Sequence, residues 1–335
     1  MPPARPDVSV ILVSYNTRAM TLDCLRTLKR GLVGLTAEIW LVDNASDDGT
    51  PDAVTEAFTD VRLLANTANR GFGAANNQAL EVATGRYMLL LNTDAFVEPD
   101  AVGRLVRYMD EHTDVAAAGP RLFNGDGSPQ ASVHQLDTPW HAFAQYTGLA
   151  RLTHRSDAKN QAHEPGLQLG DVYLKGACLI VRRKAYEQAG GFDERFFFYG
   201  DEADWEKRMS DRGWRLALVD QAHVKHLVGK SGGDDRLRFT LHYYAARDQY
   251  MHKHFGISGL LVYRVGVLLW CLRKLAQQAW WRVRPDRQPN PFAIAVHRFL
   301  LRGLCRSPQR LADAIASDPL IRKPASHATA SAVSA

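Results

Sequence analysis

Cysteine is scarce in this chain. Of 335 residues four are cysteine, and Cys24, Cys178, Cys271 and Cys305 are scattered without a C-x-x-C pair. That spacing supplies neither a zinc site nor a disulfide framework, and it predicts a reducing compartment. No stretch of about 18 residues is free of charge, which argues against a membrane-spanning helix. Met1 to Asp7 lacks the apolar core of a signal peptide, and no internal repeat is visible. What remains is ordinary for a folded protein: 46% hydrophobic and 23% charged residues. The length suits one large α/β domain with an appended segment.

The net charge of +5 is unevenly spread. From Met251 to Ala335 there are 13 Lys and Arg against 3 Asp, a balance of +10, so the preceding part carries −5. Such asymmetry predicts that the C-terminal part meets an anionic partner or presents a solvated basic face.

The first 120 residues alternate between two periods. Val8 to Ser14 is an apolar, β-branched run that predicts a buried strand. Leu22, Leu25 and Leu28 then recur at helical spacing up to Gly31, which marks a helix end. Glu38 to Asp43 is a second strand. Thr50-Pro51 supplies an N-cap followed by proline at the first helical position. Val61 to Ala65 is a third strand, Ala74 to Thr84 a helix, Tyr87 to Leu91 a fourth strand, and Pro99 to Glu111 a helix. Val115 to Ala118 is a candidate fifth strand. The βαβ rhythm predicts a doubly wound α/β fold with a mostly parallel sheet flanked by helices.

Asn124-Gly125-Asp126-Gly127 is a turn signal. Residues 130 to 170 have little periodicity and are expected to form a long loop. Val172 to Val181 and Arg215 to Val219 are strands and Asp201 to Asp211 a helix, with helices alone beyond Asp235. The expected organisation is therefore a catalytic domain over 1–235, with halves at about 8–120 and 121–235. A helical segment over 236–323 and a disordered tail over 324–335 follow.

In open parallel sheets, ligands bind beyond the carboxyl ends of strands. Polar residues fall at those ends: Ser14-Tyr15-Asn16, Asp43-Asn44-Ala45-Ser46 and Asn92-Thr93-Asp94. Each alone reads as a helix cap or Asx-turn; three together fit a polar, phosphorylated ligand. Asp94 is the natural candidate to carry Mg²⁺ or Mn²⁺, which needs few protein carboxylates because phosphate and water complete its shell. Asn92 is placed to bond a ribose or a metal-bound water.

These residues resemble family 2 glycosyltransferases of the GT-A fold, in particular the rhamnosyltransferase-like branch that builds bacterial surface polysaccharides. The resemblance runs from about Val8 to Ser231 and rests on seven ordered segments: VSYNT (13–17), LVDNASDDGT (41–50), NRGFGAANN (69–77), LLLNTDA (89–95), KGACLIVRR (175–183), GGFDERFFFYGDEADWEKR (190–208) and HLVGKS (226–231). It implies an inverting, metal-dependent transfer of a sugar from a nucleotide-sugar donor to a hydroxyl. Ser14, Tyr15, Asn16, Asp43, Asn76, Asn92 and Thr93 would line the nucleotide-sugar pocket, with Asp43 toward the base. Asn76 stands where many members carry arginine. Asn92-Thr93-Asp94 matches the D-x-D metal motif with its first acid replaced. His226 would complete the metal or diphosphate site, and Gly229 and Ser231 would shape a loop over the phosphates.

Lys175, Gly176 and Trp205 would face the acceptor. Asp201-Glu202 stands where the family has a Glu-Asp pair, one member of which is the general base; here the order is reversed. A carboxylate is needed there because a hydroxyl is a poor nucleophile until its proton is removed, although acids also favour helix starts for their own sake. The resemblance further implies dTDP-rhamnose as donor, with galactofuranose or glucose as other sugars, and a glycan or polyprenyl-diphosphate-linked acceptor. It also implies a cytoplasmic protein peripheral on the inner face of the cell membrane. A homo-oligomer remains open.

Other readings fit less well. Gly71-Phe72-Gly73 begins a dinucleotide fingerprint, but the third glycine is Asn76 and the segment follows the third strand. An inactive nucleotide- or glycan-binding relative would not need Asp94, His226 and the paired acids together. A processive synthase lacks a Q-x-x-R-W segment and a set of spans. Ser258 to Trp281 is apolar but interrupted by Arg264, Arg273 and Lys274, and reads as a core helix or as one lying in an anionic membrane surface. No basic-aromatic motif points to nucleic acid.

Overall fold

The computed structural model describes residues 5–151, 172–197, 199–227, 236–284 and 287–317. The expected tail at 324–335, and Gly229 and Ser231 of the last motif, lie outside them. The chain divides into two compact units, 1–137 with 154–231, and 138–153 with 232–335.

Unit 1 contains β1 (Val8–Ser14), α1 (Arg18–Gly31), β2 (Ala37–Asp43), α2 (Thr50–Ala57), β3 (Val61–Ala65), α3 (Phe72–Val82), β4 (Tyr87–Asn92) and β5 (Ala95–Val97). It continues through α4 (Ala101–Glu111), β6 (Val115–Phe123), β7 (Pro129–Gln130) and β8 (Val133–Gln135). Unit 2 contributes α5 (Pro139–Thr147), after which unit 1 resumes with β9 (Val172–Leu174), β10 (Cys178–Arg182), α6 (Arg183–Ala189), α7 (Asp201–Ser210) and β11 (Arg215–His226). Unit 2 ends the described chain with α8 (Arg236–Trp281), α9 (Pro291–Gly303) and α10 (Pro308–Ser317).

The main sheet runs β3-β2-β1-β4-β10-β6-β11-β5, with β7 added to β6. Its first four strands are parallel, as expected. The expectation of a mostly parallel sheet holds, since β6 and β11 also pair parallel, and the second half adds exceptions. There β10 inserts antiparallel between β4 and β6, and β5 pairs antiparallel with β11. The sheet is mixed.

Strand β1 shows why the layers form. Val8, Val10 and Leu12 enter the core shared with Leu25 and Leu28 of α1, whereas Ile11 enters the opposite core with Ala79 and Leu80 of α3. Alternate side chains of a strand face opposite sides, so a continuously apolar strand can only sit between two helical layers. Burying each such side chain contributes about 1.5–3 kcal/mol.

Several local expectations shift. Val172 to Val181 is not one strand: residues 175–177 interrupt it, leaving β9 and β10. Strand β11 runs on to His226, with irregular register between Val219 and His223. The cap of α2 is Gly49 in the left-handed region, and Thr50 is bonded by its N–H and hydroxyl to Asp48. The supposed loop over 130–170 holds β7, β8 and α5 in its described part.

In unit 2, α5, α9 and α10 each pack on α8, which bends at Gly256 (φ 64°). The stretch Thr240–Trp281 is long and apolar enough to cross a membrane by length and composition, against the sequence expectation. Yet Arg264 on it turns inward, donating to Asp248 at 2.5 and 2.9 Å and to the carbonyls of Leu304 and Arg306.

Candidate active site

Strand register builds the first edge of the site. Ser14 is paired with Asp43, and Val13 with Asn92, so β1, β2 and β4 end together. The order 3-2-1-4 puts the switch in strand order at β1, where crevices for nucleotides form. Asp43 is buried and accepts from the Ser14 hydroxyl at 2.7 Å, the Ser46 hydroxyl at 2.6 Å and the Ser46 N–H at 2.8 Å. It fixes the turn that carries Asn16, whose N–H donates to Ser46 Oγ and whose Oδ1 accepts from the Asp47 N–H. Tyr15 is exposed beside it.

Asn44 ties a second loop to this edge. Its Nδ2 donates to the Gly71 carbonyl and its Oδ1 accepts from the Arg70 N–H. Gly71 has φ +85°, and a Cβ there would lie 2.8 Å from the Phe197 carbonyl, so only glycine fits. Asn77 exchanges two hydrogen bonds with the backbone of Phe192, joining this loop's helix to the segment that leads into α7. Asn76, by contrast, is buried and its Nδ2 donates to the Phe72 carbonyl of its own helix. It belongs to helix packing rather than to the expected nucleotide set.

Thr93 is also buried, its hydroxyl 3.2 Å from that of Thr17. Beneath the turn, the Cys24 thiol donates to the carbonyls of Asn92 and Ala95.

The second edge comes from antiparallel pairing. His226 is in register with Ala95, and the Leu227 N–H donates to the Asp94 carbonyl. Asp94 Oδ1 and His226 Nε2 consequently face each other at 3.3 Å. The other ring nitrogen, Nδ1, lies 2.8 Å from Gln130 Oε1. Lys175 Nζ donates to that same oxygen at 2.9 Å, while Gln130 Nε2 donates to the His226 carbonyl and to Asn124 Oδ1.

The pair fits a divalent ion. One carboxylate oxygen and one imidazole nitrogen converge on one side, a donor set suited to Mn²⁺ or Mg²⁺ when phosphate oxygens and water supply the remaining positions. Among the described residues no group of three or more His, Cys, Asp or Glu gathers at one point, so the protein alone offers an incomplete shell.

The third part is the start of α7. Tyr199 (φ 69°) and Gly200 (φ 79°) are both left-handed, turning the chain sharply before Asp201. Asn16 and Ala45 at the strand ends are left-handed non-glycine residues too. Such strain, about 1–3 kcal/mol each, gathers at working sites. Asp201 is buried, and burial, followed by the neighbouring Glu202 carboxylate, holds its carboxyl well above the usual range. Burial thus favours the neutral form of Asp201. Glu202 is half-buried, and a Cβ on Gly176 would lie 3.2 Å from its Oε1, so glycine at 176 makes room for it.

Burial pulls Lys175 below the usual lysine value, opposed by Asp94 and Glu202. A connected path thus runs Asp94, His226, Gln130, Lys175, Gly176, Glu202. Trp205 is a correction. It is fully buried, its Nε1 donates to the Gly190 carbonyl at 2.7 Å, and its ring packs on Phe192. It holds α7 in the core and cannot meet an acceptor.

Sequence reasoning missed Gln130, Asn77 and Glu206. Glu206 is wholly buried, accepts from the Leu174 N–H at 2.7 Å, and is pushed by burial well above its usual value. Its spacing of four from Glu202 was the available signal; Gln130 carried none beyond its place after the 124–127 turn.

A mixed sheet with a 3-2-1-4 parallel half, strand-end acids and a carboxylate at a helix start fits a glycosyltransferase of the GT-A kind. The chain belongs to glycosyl transferase family 2, whose profile matches residues 9–190. It is 30% identical over 211 residues to the N-acetylglucosaminyl-diphospho-decaprenol L-rhamnosyltransferase of Mycobacterium tuberculosis, covering 59% of this chain and 68% of that one. It is 38% identical over 214 residues to a succinoglycan biosynthesis protein of Rhizobium meliloti, covering 56% and 60%. In fold it is similar to a mannosyltransferase from Pyrobaculum calidifontis solved with GDP-Man and Mn²⁺. That match has a TM-score of 0.54 and 19% identity, with 94% of this chain and 87% of that one covered.

Proposed function

We propose that this glycosyltransferase moves L-rhamnose from dTDP-rhamnose to a hydroxyl of a polyprenyl-diphosphate-linked glycan in cell-surface polysaccharide synthesis. The observation that carries the chemistry is the connected path from Asp94 and His226 to Glu202. The mycobacterial relative's name supports the sugar and the lipid carrier. Residues 8–120 hold the nucleotide and 121–235 the acceptor in this reading.

Asp94 and His226 would hold Mg²⁺ or Mn²⁺, which supplies charge neutralisation for the departing diphosphate. Tyr15, Asn16 and Asn92 bind the donor on the accessible side of the strand ends, with Ser14, Asp43 and Thr93 supporting them from below. Lys175 places a cation between the two carboxylate regions. Glu202 takes the proton of the acceptor hydroxyl as its oxygen attacks the anomeric carbon, opposite the leaving group. Asp201, whose burial favours the neutral form, is the fallback for this role. A positioned base contributes about 10²–10⁴-fold. A screen of nucleotide sugars for donor hydrolysis, with Mn²⁺ and with excess EDTA, tests the reading. Metal-dependent hydrolysis of dTDP-rhamnose supports it; preference for another sugar overturns the donor, and full activity in EDTA overturns the metal.

The location follows from α8. Ile257, Leu261, Val265, Leu269 and Leu272 are exposed at spacings of four and three, and Trp280 continues the stripe. Arg273, Lys274, Arg282, Arg284 and Arg287 gather at its C-terminal end. A second copy laid on this stripe in parallel would bring like charges together, whereas an anionic lipid surface complements both the apolar face and the basic end. We propose that the helix lies in the plane of the inner face of the cell membrane. The buried Arg264–Asp248 pair within this helix argues against spanning. Cosedimentation with phosphatidylglycerol vesicles is expected at low salt and should weaken as salt rises. Indifference to such vesicles would overturn it.

A further inference from the structure

We infer that Gln130 is a positioning residue that fixes the tautomer of His226 and so reserves Nε2 for the ion beside Asp94. The inference rests on the proposed metal role of Asp94 and His226. Its starting point is the orientation of one amide. Lys175 Nζ is a donor only, and it lies 2.9 Å from Oε1. The His226 carbonyl is an acceptor only, and it lies 3.1 Å from Nε2. Turning the amide over would set nitrogen against ammonium and oxygen against carbonyl, so these two neighbours determine which end is which.

The orientation decides the imidazole. Gln130 Oε1 cannot donate, so the 2.8 Å contact with His226 Nδ1 requires the proton on Nδ1. A neutral ring protonated there carries its lone pair on Nε2, the atom 3.3 Å from Asp94 Oδ1. Histidine ligands are commonly oriented in this way by a hydrogen bond from their second nitrogen. Here the acceptor is a side-chain amide on β7, held in turn by the hairpin. The Asn124 N–H donates to the Ser128 carbonyl, Gly127 is left-handed, and Asn124 Oδ1 receives the remaining Gln130 N–H. The 124–127 turn therefore sets the register that brings Gln130 under His226. By accepting from Lys175 as well, the same oxygen couples the position of that cation to the histidine.

The test uses the full chain with Mn²⁺ alone, read by the electron paramagnetic resonance of free Mn²⁺. Imidazole ¹H–¹⁵N correlation spectra of the metal-free protein, well above the usual histidine range, report the tautomer. Wild type should show His226 protonated on Nδ1. Gln130→Leu should lose that signature and weaken Mn²⁺ binding about 10- to 100-fold. Gln130→Glu, which keeps an acceptor at Oε1, should retain the signature, separating hydrogen bonding from packing. Asp94→Asn checks the underlying reading. If it leaves Mn²⁺ binding intact, the metal site itself is wrong. If it abolishes binding while Gln130→Leu matches wild type in affinity and tautomer, the inference about Gln130 is overturned and the site survives. A wild-type His226 protonated on Nε2 overturns the inference whether or not the leucine variant folds.

Discussion

Asp43 and Asp94 end strands, whereas Asp201 and Glu206 lie in the first two turns of a helix, and the surroundings of the two sets are opposite. Asp43 accepts three hydrogen bonds, and Asp94 faces an imidazole within the field of Lys175. For Asp201 and Glu206 desolvation dominates, and burial biases both toward the neutral form. Glu202 stands between these conditions, half-buried on the same helix. The same functional group is thus divided by environment: strand ends hold it among polar partners, and the helix start holds it where burial favours the neutral form.

The sharpest way to break that division is at Asp94. Asp94→Asn is expected to lower turnover by 10³-fold or more, on the order of 4 kcal/mol of barrier, with unchanged far-ultraviolet circular dichroism. Glu202→Gln should lower kcat by about 10²–10⁴-fold with donor KM little changed. Asp201→Asn should cost less than about tenfold, because burial already favours the neutral form that the amide imitates. Turnover lost in Asp201→Asn but kept in Glu202→Gln would reverse the assignment.

The smallest expected effect is on stability. Glu206 has a folded value raised above its ordinary 4.5. Between those two values the folded state holds a proton that the unfolded state has released. Stability is therefore full below about pH 4.5 and declines as pH rises, by up to about 1.4 kcal/mol per unit, until the folded value is passed. Glu206→Gln should flatten the fall of Tm with rising pH, measured by thermal scans from pH 5 to 9. An unchanged slope would show that Glu206 is ionised in the fold.

Much of the parallel half was legible because its signals are local. VSVILVS and YMLLL are too apolar for anything but central strands, and turn residues follow each one. The antiparallel insertion of β10 was not legible, since an apolar run carries no direction of pairing. Asp94 could be picked from its strand end, but its meeting with His226 depends on β5, three residues long and invisible to periodicity. Helix α5 was missed although Thr138-Pro139 is a cap followed by proline, and Thr138 Oγ1 does accept from the His141 N–H. Trp205 was misplaced because its motif outweighed its spacing; four residues before the buried Met209, it lies on the inward stripe of α7. The sequence left the Arg264 helix open between core and membrane surface, because its partner Asp248 lies sixteen residues earlier and no local pattern links them.

The division between strand ends and helix start is tested most directly by calorimetric titration of dTDP, with and without Mn²⁺, into the Asp94→Asn and Glu202→Gln proteins. The account predicts that Mn²⁺ strengthens dTDP binding to Glu202→Gln as much as to wild type and has no effect on Asp94→Asn. Loss of the Mn²⁺ effect in Glu202→Gln, with its retention in Asp94→Asn, would contradict it.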